Sequence, residues 1–202
     1  MRKLILETQL SIDGYIAETD GNTNWMLWNW GPDWKWDFEL QQHHTNLTKS
    51  ADCILLSRQM AEDGFNAHWA KMAEDLNAPQ FEFAKHITDT YKIVFSKTIG
   101  KSKPIPGDWN NTVVTNGDLS SEINQLKNQD GKDIIAYGGA SFVSALIKSG
   151  LIDEYHLIVN PTAIGNGMTI FSGLDCKLNL SLVESKSYAC GVVLNVYRTK
   201  RN

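Results

Sequence analysis

Asp133-Ile134-Ile135-Ala136-Tyr137-Gly138-Gly139-Ala140-Ser141-Phe142-Val143 is the stretch around which the rest of the chain is arranged. Ile134, Ile135 and Ala136 form a short apolar run, and Val143, Leu146 and Ile147 then recur at helical spacing until Gly150. The period switches at the glycines, so the stretch reads as a buried strand turning sharply into a helix. Two adjacent glycines let a ligand approach where a β-carbon would collide, and the first free N–H groups of the new helix carry a partial positive charge. Gly138, Gly139, Ala140 and Ser141 are therefore candidate phosphate ligands. The same dipeptide also serves as a tight turn with no ligand, and by itself it does not separate the two readings.

The 202 residues fit a single α/β domain, 1–202, large enough to bury a core without staples. Hydrophobic residues make up 42% and charged residues 21%, and no apolar run approaches the length of a membrane span. The amino-terminal Met1-Arg2-Lys3-Leu4-Ile5-Leu6-Glu7 is interrupted by Glu7 and Gln9 and reads as the first strand, not as a signal peptide. Cys53, Cys176 and Cys190 are odd in number, far apart and in apolar surroundings, which predicts reduced, buried thiols and a cytoplasmic setting. A net charge of -4 argues against a nucleic-acid partner. His43, His44, His68, His86 and His156 show no metal-ligand spacing, so no metal is expected, and His43 and His44 are expected to be solvated.

In chain order, Leu4, Leu6, Thr8 and Leu10 share one face of the first strand, which ends in Ser11-Ile12-Asp13-Gly14-Tyr15-Ile16-Ala17. Asp13, Ile16 and Ala17 lie where open α/β sheets collect ligands, although Asp-Gly equally favours a plain turn. Trp25, Trp28, Trp30, Trp34 and Trp36 follow within twelve residues, interleaved with Asn22, Asn24, Asn29, Gly31 and Pro32. Such rings can stack on a planar substrate, clasp the loop to the body, or bury against a second copy in a homodimer. A helix is expected over 37–49 with Phe38 and Leu47 inward, then a strand over 52–56 leading into Ser57 and Arg58. A strand over 91–95 leads into Ser96 and Lys97. Arg58 and Lys97 are candidate phosphate cations as well as ordinary surface charges. The segment 61–79 gives no clear period beyond Trp69 and Met72. A helix is read at 81–87 and a loop at 104–108, followed by a strand at 112–114 and a helix around Leu119, Ile123 and Leu126. The alternation calls for a parallel sheet covered on both faces. Strands at 155–160, 178–183 and 192–197, with a turn at 188–191, should be antiparallel. The loop 161–167 carries Gly165 and Gly167 and is expected to come close to a ligand.

Several of these stretches together resemble the dihydrofolate-reductase-like family, in particular its branch related to the reductase domain of the riboflavin-biosynthesis deaminase-reductase. The carriers are 11–17, Ser96-Lys97-Thr98, Gly138-Gly139-Ala140, Leu151-Ile152-Asp153-Glu154, Gly165-Asn166-Gly167 with Phe171, and 191–197. The resemblance implies a mixed, mostly parallel sheet flanked by helices, with an antiparallel carboxyl-terminal hairpin. It also implies NADPH held by the Gly-Gly turn, Ser96-Lys97 and the loop after the second strand, with Ile16 and Ala17 flanking the nicotinamide. Two departures stand out. The family's Gly-Arg-x-Thr-Tyr is here Ser57-Arg58-Gln59-Met60-Ala61, which puts a thioether where a hydroxyl would face phosphate. Tyr15 replaces a basic residue that the riboflavin enzymes use for a phosphorylated substrate.

The implied reaction is hydride transfer from NADPH to a small planar heterocycle, with Trp25, Trp28 and Trp30 as candidate substrate contacts. A proton is needed as well, and a carboxyl group of raised pKa is the expected source. Asp13 is the first candidate and Asp37, where folate-type reductases place their acid, the second. Two alternatives use the same residues: a ligand-binding protein without turnover, and an interaction module assembling through the tryptophan loop.

Overall fold

A computed structural model describes residues 1–31, 33–106 and 109–200. The chain runs β1 (Leu4–Leu10), α1 (Phe38–Lys49), β2 (Ala51–Ser57), α2 (Arg58–Glu62), α3 (Phe65–Met72), α4 (Phe81–Asp89), β3 (Tyr91–Phe95) and β4 (Thr112–Thr115). It continues through α5 (Leu119–Lys127), β5 (Asp133–Tyr137), α6 (Ala140–Lys148), β6 (Glu154–Val159), β7 (Leu180–Ser187) and β8 (Val193–Thr199). All the strands join one 8-stranded sheet in the order β4-β3-β2-β5-β1-β6-β8-β7. The pairings from β4 to β6 are parallel, and β8 runs antiparallel to both β6 and β7. The mixed sheet with an antiparallel carboxyl-terminal hairpin is thus the architecture of the chain.

Central strands covered on both faces must be apolar throughout, and the alternation within them assigns each side chain to a layer. Leu4, Leu6, Ile134, Ala136, Cys53 and Leu55 face α5 and α6, packing on Ile123, Leu126, Val143, Leu146 and Ile147. Ile54, Leu56, Ile135 and Tyr137 face the layer of α1, α3 and α4, with Leu40, Phe65, Trp69, Phe83 and Ile87.

Several local expectations change. Phe38 is 68% exposed, because α1 buries the i, i+4, i+8 stripe of Leu40, His44 and Thr48, which also puts His44 in the core and not in solvent. The unassigned stretch after Arg58 holds the end of α2 and all of α3, whose Trp69 is almost wholly buried. The hairpin strands reach further than expected, to Ser187 and Thr199. Cys53 is buried, and burial pushes its thiol up to about 12, but Cys176 is exposed and Cys190 only partly covered. Pro32 of the tryptophan loop and Gly107 and Asp108 of the expected 104–108 loop lie outside the described residues.

One buried cation ties β3 to the helix before it. The Nζ of Lys92, a buried residue, donates to the carbonyls of Ile87 (2.7 Å), Thr88 (3.2 Å) and Thr90 (2.7 Å), closing the carboxyl end of α4. Burial lowers its pKa to about 8, with Asp89 opposing the shift. The unfolded chain holds this proton up to the ordinary lysine range, so between about pH 8 and pH 10.5 it binds more protons than the folded one, and this group's contribution to stability rises with pH there. Urea unfolding of wild type and Lys92→Met at pH 7.5 and pH 10 should show the wild-type chain gaining stability relative to the variant at the higher pH. Parallel pH dependence in the two proteins would refute the assignment.

Candidate functional site

The parallel strands all end on one edge of the sheet. The helices after β1 and β2 pack on one face and α6, after β5, packs on the other, so a crevice opens where β5 lies between β2 and β1. A cavity of about 380 Å³ occupies this position. Its wall includes Ser57, Met60, Gly138, Gly139 and Ala140 together with Ile16 and Ala17.

Gly138 and Gly139 adopt φ of 53° and 81°, in the region that favours glycine. A β-carbon on Gly139 would stand 2.6 Å from the Ser57 Oγ, and one on Gly138 would stand 3.1 Å from the Met60 Sδ. The end of β2 is therefore packed directly on the turn. Gly139 caps α6 without a side-chain hydrogen bond, and the first intrahelical bond runs from the Val143 N–H to the Gly139 carbonyl (2.9 Å). The amides of Ala140, Ser141 and Phe142 precede that bond, as the N–H groups of a helix start that no side chain caps. Ser141 itself is exposed and does not line the cavity.

The candidate cations stand further out. Arg58 is ion-paired with Glu62, to which Lys103 also donates (3.2 Å). The Ser96 Oγ accepts from the amides of Thr98 (3.1 Å) and Ile99 (2.9 Å), and Lys97 is exposed. Arg58, Ser96 and Lys97 do not line the cavity.

Neither carboxylate expected to supply the proton borders the cavity. Asp13 is exposed and accepts from the Ser11 hydroxyl (2.5 Å) and from the amides of Gly165 (2.7 Å) and Ile164 (3.2 Å). The Ser11 hydroxyl and these amides hold its pKa below the usual carboxylate value, opposite to the raised pKa that a proton donor needs. Asp37 caps α1 by accepting from the Leu40 amide (3.2 Å) and also faces the Cys190 amide (3.4 Å). The second glycine loop approaches protein, not a cavity ligand: a β-carbon on Gly167 would lie 2.2 Å from the Ala17 carbonyl oxygen, within the Ala17–Met168 bridge.

The tryptophan loop folds inward. Trp28 stacks on Trp34 (5.0 Å between centroids) and meets Trp36 (4.9 Å) and Phe83 (6.3 Å) edge-on, while Trp30 packs on Phe65 (5.3 Å) and His68 (5.9 Å). Trp28 and Trp30 line the cavity and Trp25 does not; Trp36, Trp69, Phe65 and Phe83 complete an aromatic chamber.

Two polar residues on the cavity wall were missed in the sequence. Glu7, 3% exposed, contacts the His44 Nδ1 through its Oε2 (2.6 Å), and its Oε1 and the His44 Nε2 have no hydrogen-bond partner. The signal for Glu7 was present as a carboxylate in the middle of an otherwise apolar central strand. His44 was recoverable from its i+4 relation to Leu40. Tyr137 is hydrogen-bonded to Thr48, and burial and then the Glu7 charge push its hydroxyl up. Behind this pair, the His43 Nε2 meets the His156 Nδ1 (3.2 Å) and the His156 Nε2 meets the Glu154 Oε1 (2.9 Å). Burial lowers the His43 pKa. Burial works to raise that of Glu154, but hydrogen bonds from His156 and Arg198 hold it at about 2. Among the described residues no group of three or more His, Cys, Asp or Glu could hold a metal ion, and no helix is long and apolar enough to cross a membrane.

Comparison with known proteins places this geometry in a family. Two Bacillus subtilis (strain 168) proteins, both described as uncharacterized, align along nearly the whole chain. YyaP is 29% identical over 97% of this chain and 94% of its own length, and YwjB is 24% identical over 98% of each. Among solved structures, a putative riboflavin biosynthesis protein from Shewanella sp. PV-4 superposes with a TM-score of 0.71 at 21% identity, over 98% of this chain and 99% of that one. The Thermotoga maritima diaminohydroxyphosphoribosylaminopyrimidine deaminase/5-amino-6-(5-phosphoribosylamino)uracil reductase gives a TM-score of 0.66 at 16% identity, and the match covers 98% of this chain and 57% of that one. Residues 2–194 match the model of the RibD C-terminal domain, and the chain belongs to that family.

Proposed function

We propose that the protein is an NADPH-dependent reductase that transfers a hydride to a small planar heterocycle. The observation that carries this reading is that the uncapped start of α6, with its Gly-Gly turn, and the aromatic chamber open into one cavity. A polar, phosphate-accepting end and a ring-stacking end in one space suit a nucleotide beside a flat acceptor. The turn supports this reading because Gly138, Gly139 and Ala140 border the cavity beside a helix start that no side chain caps. Gly138, Gly139, Ala140 and Ser141 hold the pyrophosphate. Ile16 and Ala17 flank the nicotinamide, and Ser57, Arg58, Ser96 and Lys97 serve the adenosine end. When bound, the cofactor supplies the hydride, and the chain's task is to orient the acceptor and exclude water.

Trp28 and Trp30, with Trp36 and Trp69, form the acceptor's stacking surface. Among the described residues the charged lining includes Glu7, Asp20 and Asp63 and neither Lys nor Arg. This favours an uncharged or cationic heterocycle over the phosphorylated type for which the Thermotoga protein is named. The inward packing of Trp28 and Trp36, both buried, weighs against an assembly role for the loop.

Titration with NADPH, followed by quenching of tryptophan fluorescence, should give saturable binding in the range of about 1–100 µM. NADH should bind more weakly, and binding should be lost in Gly139→Val. No saturable quenching by either nucleotide would refute the reductase reading, whereas tight binding with no NADPH oxidation against any heterocycle would leave a silent binding protein.

Glu62 holds both Arg58 and Lys103. Glu62→Gln should therefore tighten NADPH by roughly two- to fivefold, the scale of an exposed ion pair, and leave NADH unchanged. An equal effect on both nucleotides would place these cations away from the 2′-phosphate.

Trp30→Ala should leave NADPH affinity within about twofold and the sedimentation coefficient unchanged while weakening heterocycle binding by roughly tenfold, the scale of one lost stacking contact. A drop in mass on sedimentation would instead support assembly through the loop.

A further inference from the structure

The densest group of buried titratable side chains lies where β1, α1 and β6 meet. Glu7 and His156 are register partners on the adjacent parallel strands β1 and β6, so their side chains stand on the same face of the sheet. His43 and His44 reach the same place from α1. Glu7, His44, His156 and Glu154 are all buried, which is costly for ionisable groups unless they are paired. Their contacts form two groups side by side. Glu7 meets His44 at the cavity wall, His43 meets His156, and His156 meets Glu154. At the outer end Glu154 binds Arg198 (2.8 Å) and Lys3 (3.4 Å), which are about half exposed, and His43 is only partly covered. The inner end carries two polar atoms without partners, Glu7 Oε1 and His44 Nε2, on residues that line the cavity.

We propose that the Glu7–His44 pair, on the cavity wall, is the proton donor of the site. This rests on the reductase reading. In its protonated form the pair holds two protons, one within the Oε2 to Nδ1 contact and one on His44 Nε2 or Glu7 Oε1; these are alternative placements within one coupled titration. The carbon of a C=N bond receives the hydride supplied by the reduced nicotinamide, and the π pair of that bond moves onto nitrogen. The nitrogen takes the second proton of the pair. The products are the reduced C–N bond, NADP⁺, and a Glu7 carboxylate joined to neutral His44 by the remaining proton, and one proton from solvent restores the start. The titratable and charged groups around the pair are His43 from α1, Tyr137 from β5, His156 from β6 and Glu184 from β7, with Lys3, Glu154 and Arg198 at the outer end.

Two readouts test the assignment. In ligand-free protein with ¹⁵N-labelled histidine, NMR should show the His44 ring proton on Nδ1 in a hydrogen bond to Glu7, and Glu7→Gln should change the His44 ring nitrogen shifts. His44 ring nitrogen shifts that ignore Glu7→Gln overturn the proposal. A merely structural pair would show the same ring signature, so the second readout is the pH profile of NADPH oxidation with 7,8-dihydropterin as acceptor. The wild-type rate should fall as pH rises through the pair's titration. Glu7→Gln should lose that limb and about a hundredfold or more in rate, Glu7→Asp should recover part of it, and NADPH affinity should stay within about twofold throughout. A Glu7→Gln protein with the wild-type rate and profile overturns the proposal while leaving the reductase reading intact. Failure of the wild-type chain to bind NADPH overturns both. A chain that binds NADPH but leaves 7,8-dihydropterin unreduced at every pH overturns the proton-donor role while leaving the cofactor site intact.

Discussion

The contact between Ser57 and Gly139 is the constraint on which the site depends. Placing β5 between β2 and β1 brings the carboxyl end of β2 against the turn after β5, and the space left there admits no side chain at Gly139. The turn has no β-carbons and borders the cavity with Ala140, while the helices after β1 and β2 pack on the face opposite α6. One steric requirement therefore sets the path of the chain, opens the helix start and locates the cavity. A bulkier residue at Gly139 would have to push β2 away or turn the helix start aside.

The architecture was legible because its signals are local and repeated. Apolar runs such as Ile134-Ile135-Ala136, a glycine break and a helical period recur often enough to demand a parallel sheet, and the alternation in 192–197 marks the antiparallel end. Individual burial was less legible. Phe38 is the more hydrophobic residue, yet it lies outside because Asp37 caps the helix one position earlier and so fixes which stripe turns inward. Propensity could not place 61–79, because α3 is held largely by long-range packing of Phe65 and Trp69 on α4 and the tryptophan loop.

The site divided in the same way. Gly138, Gly139, Ile16, Ala17, Trp28 and Trp30 could be read from motif and position, and the structure brings them to one cavity. The acid could not. Asp13 and Asp37 sit at a turn and a helix start, where a carboxylate has backbone amides to satisfy, and both are occupied in that way. Glu7 carried no motif. Its meaning depends on His44 lying across from it, a relation between β1 and α1 that exists only in three dimensions.

The energetics of the chamber point in the same direction. A buried acid–imidazole pair gains little over an apolar replacement, and each buried polar atom without a partner costs about 1–3 kcal/mol. Four of the ten such side-chain atoms found among the described residues, Glu7 Oε1, His44 Nε2, Trp36 Nε1 and Trp69 Nε1, belong to residues that line the cavity. A fold selected for stability alone would bury a leucine at Glu7 and a phenylalanine at His44. The surrounding rings make the retained polarity tolerable, since His44 is enclosed by Trp28, Trp34, Trp36 and Phe83, with ring centroids at 5.3, 6.2, 5.5 and 4.3 Å. Those rings fix the orientation of the imidazole. Their packing energy offsets the cost of holding unsatisfied donors and acceptors at the wall, where a flat, nitrogen-bearing ring would satisfy them.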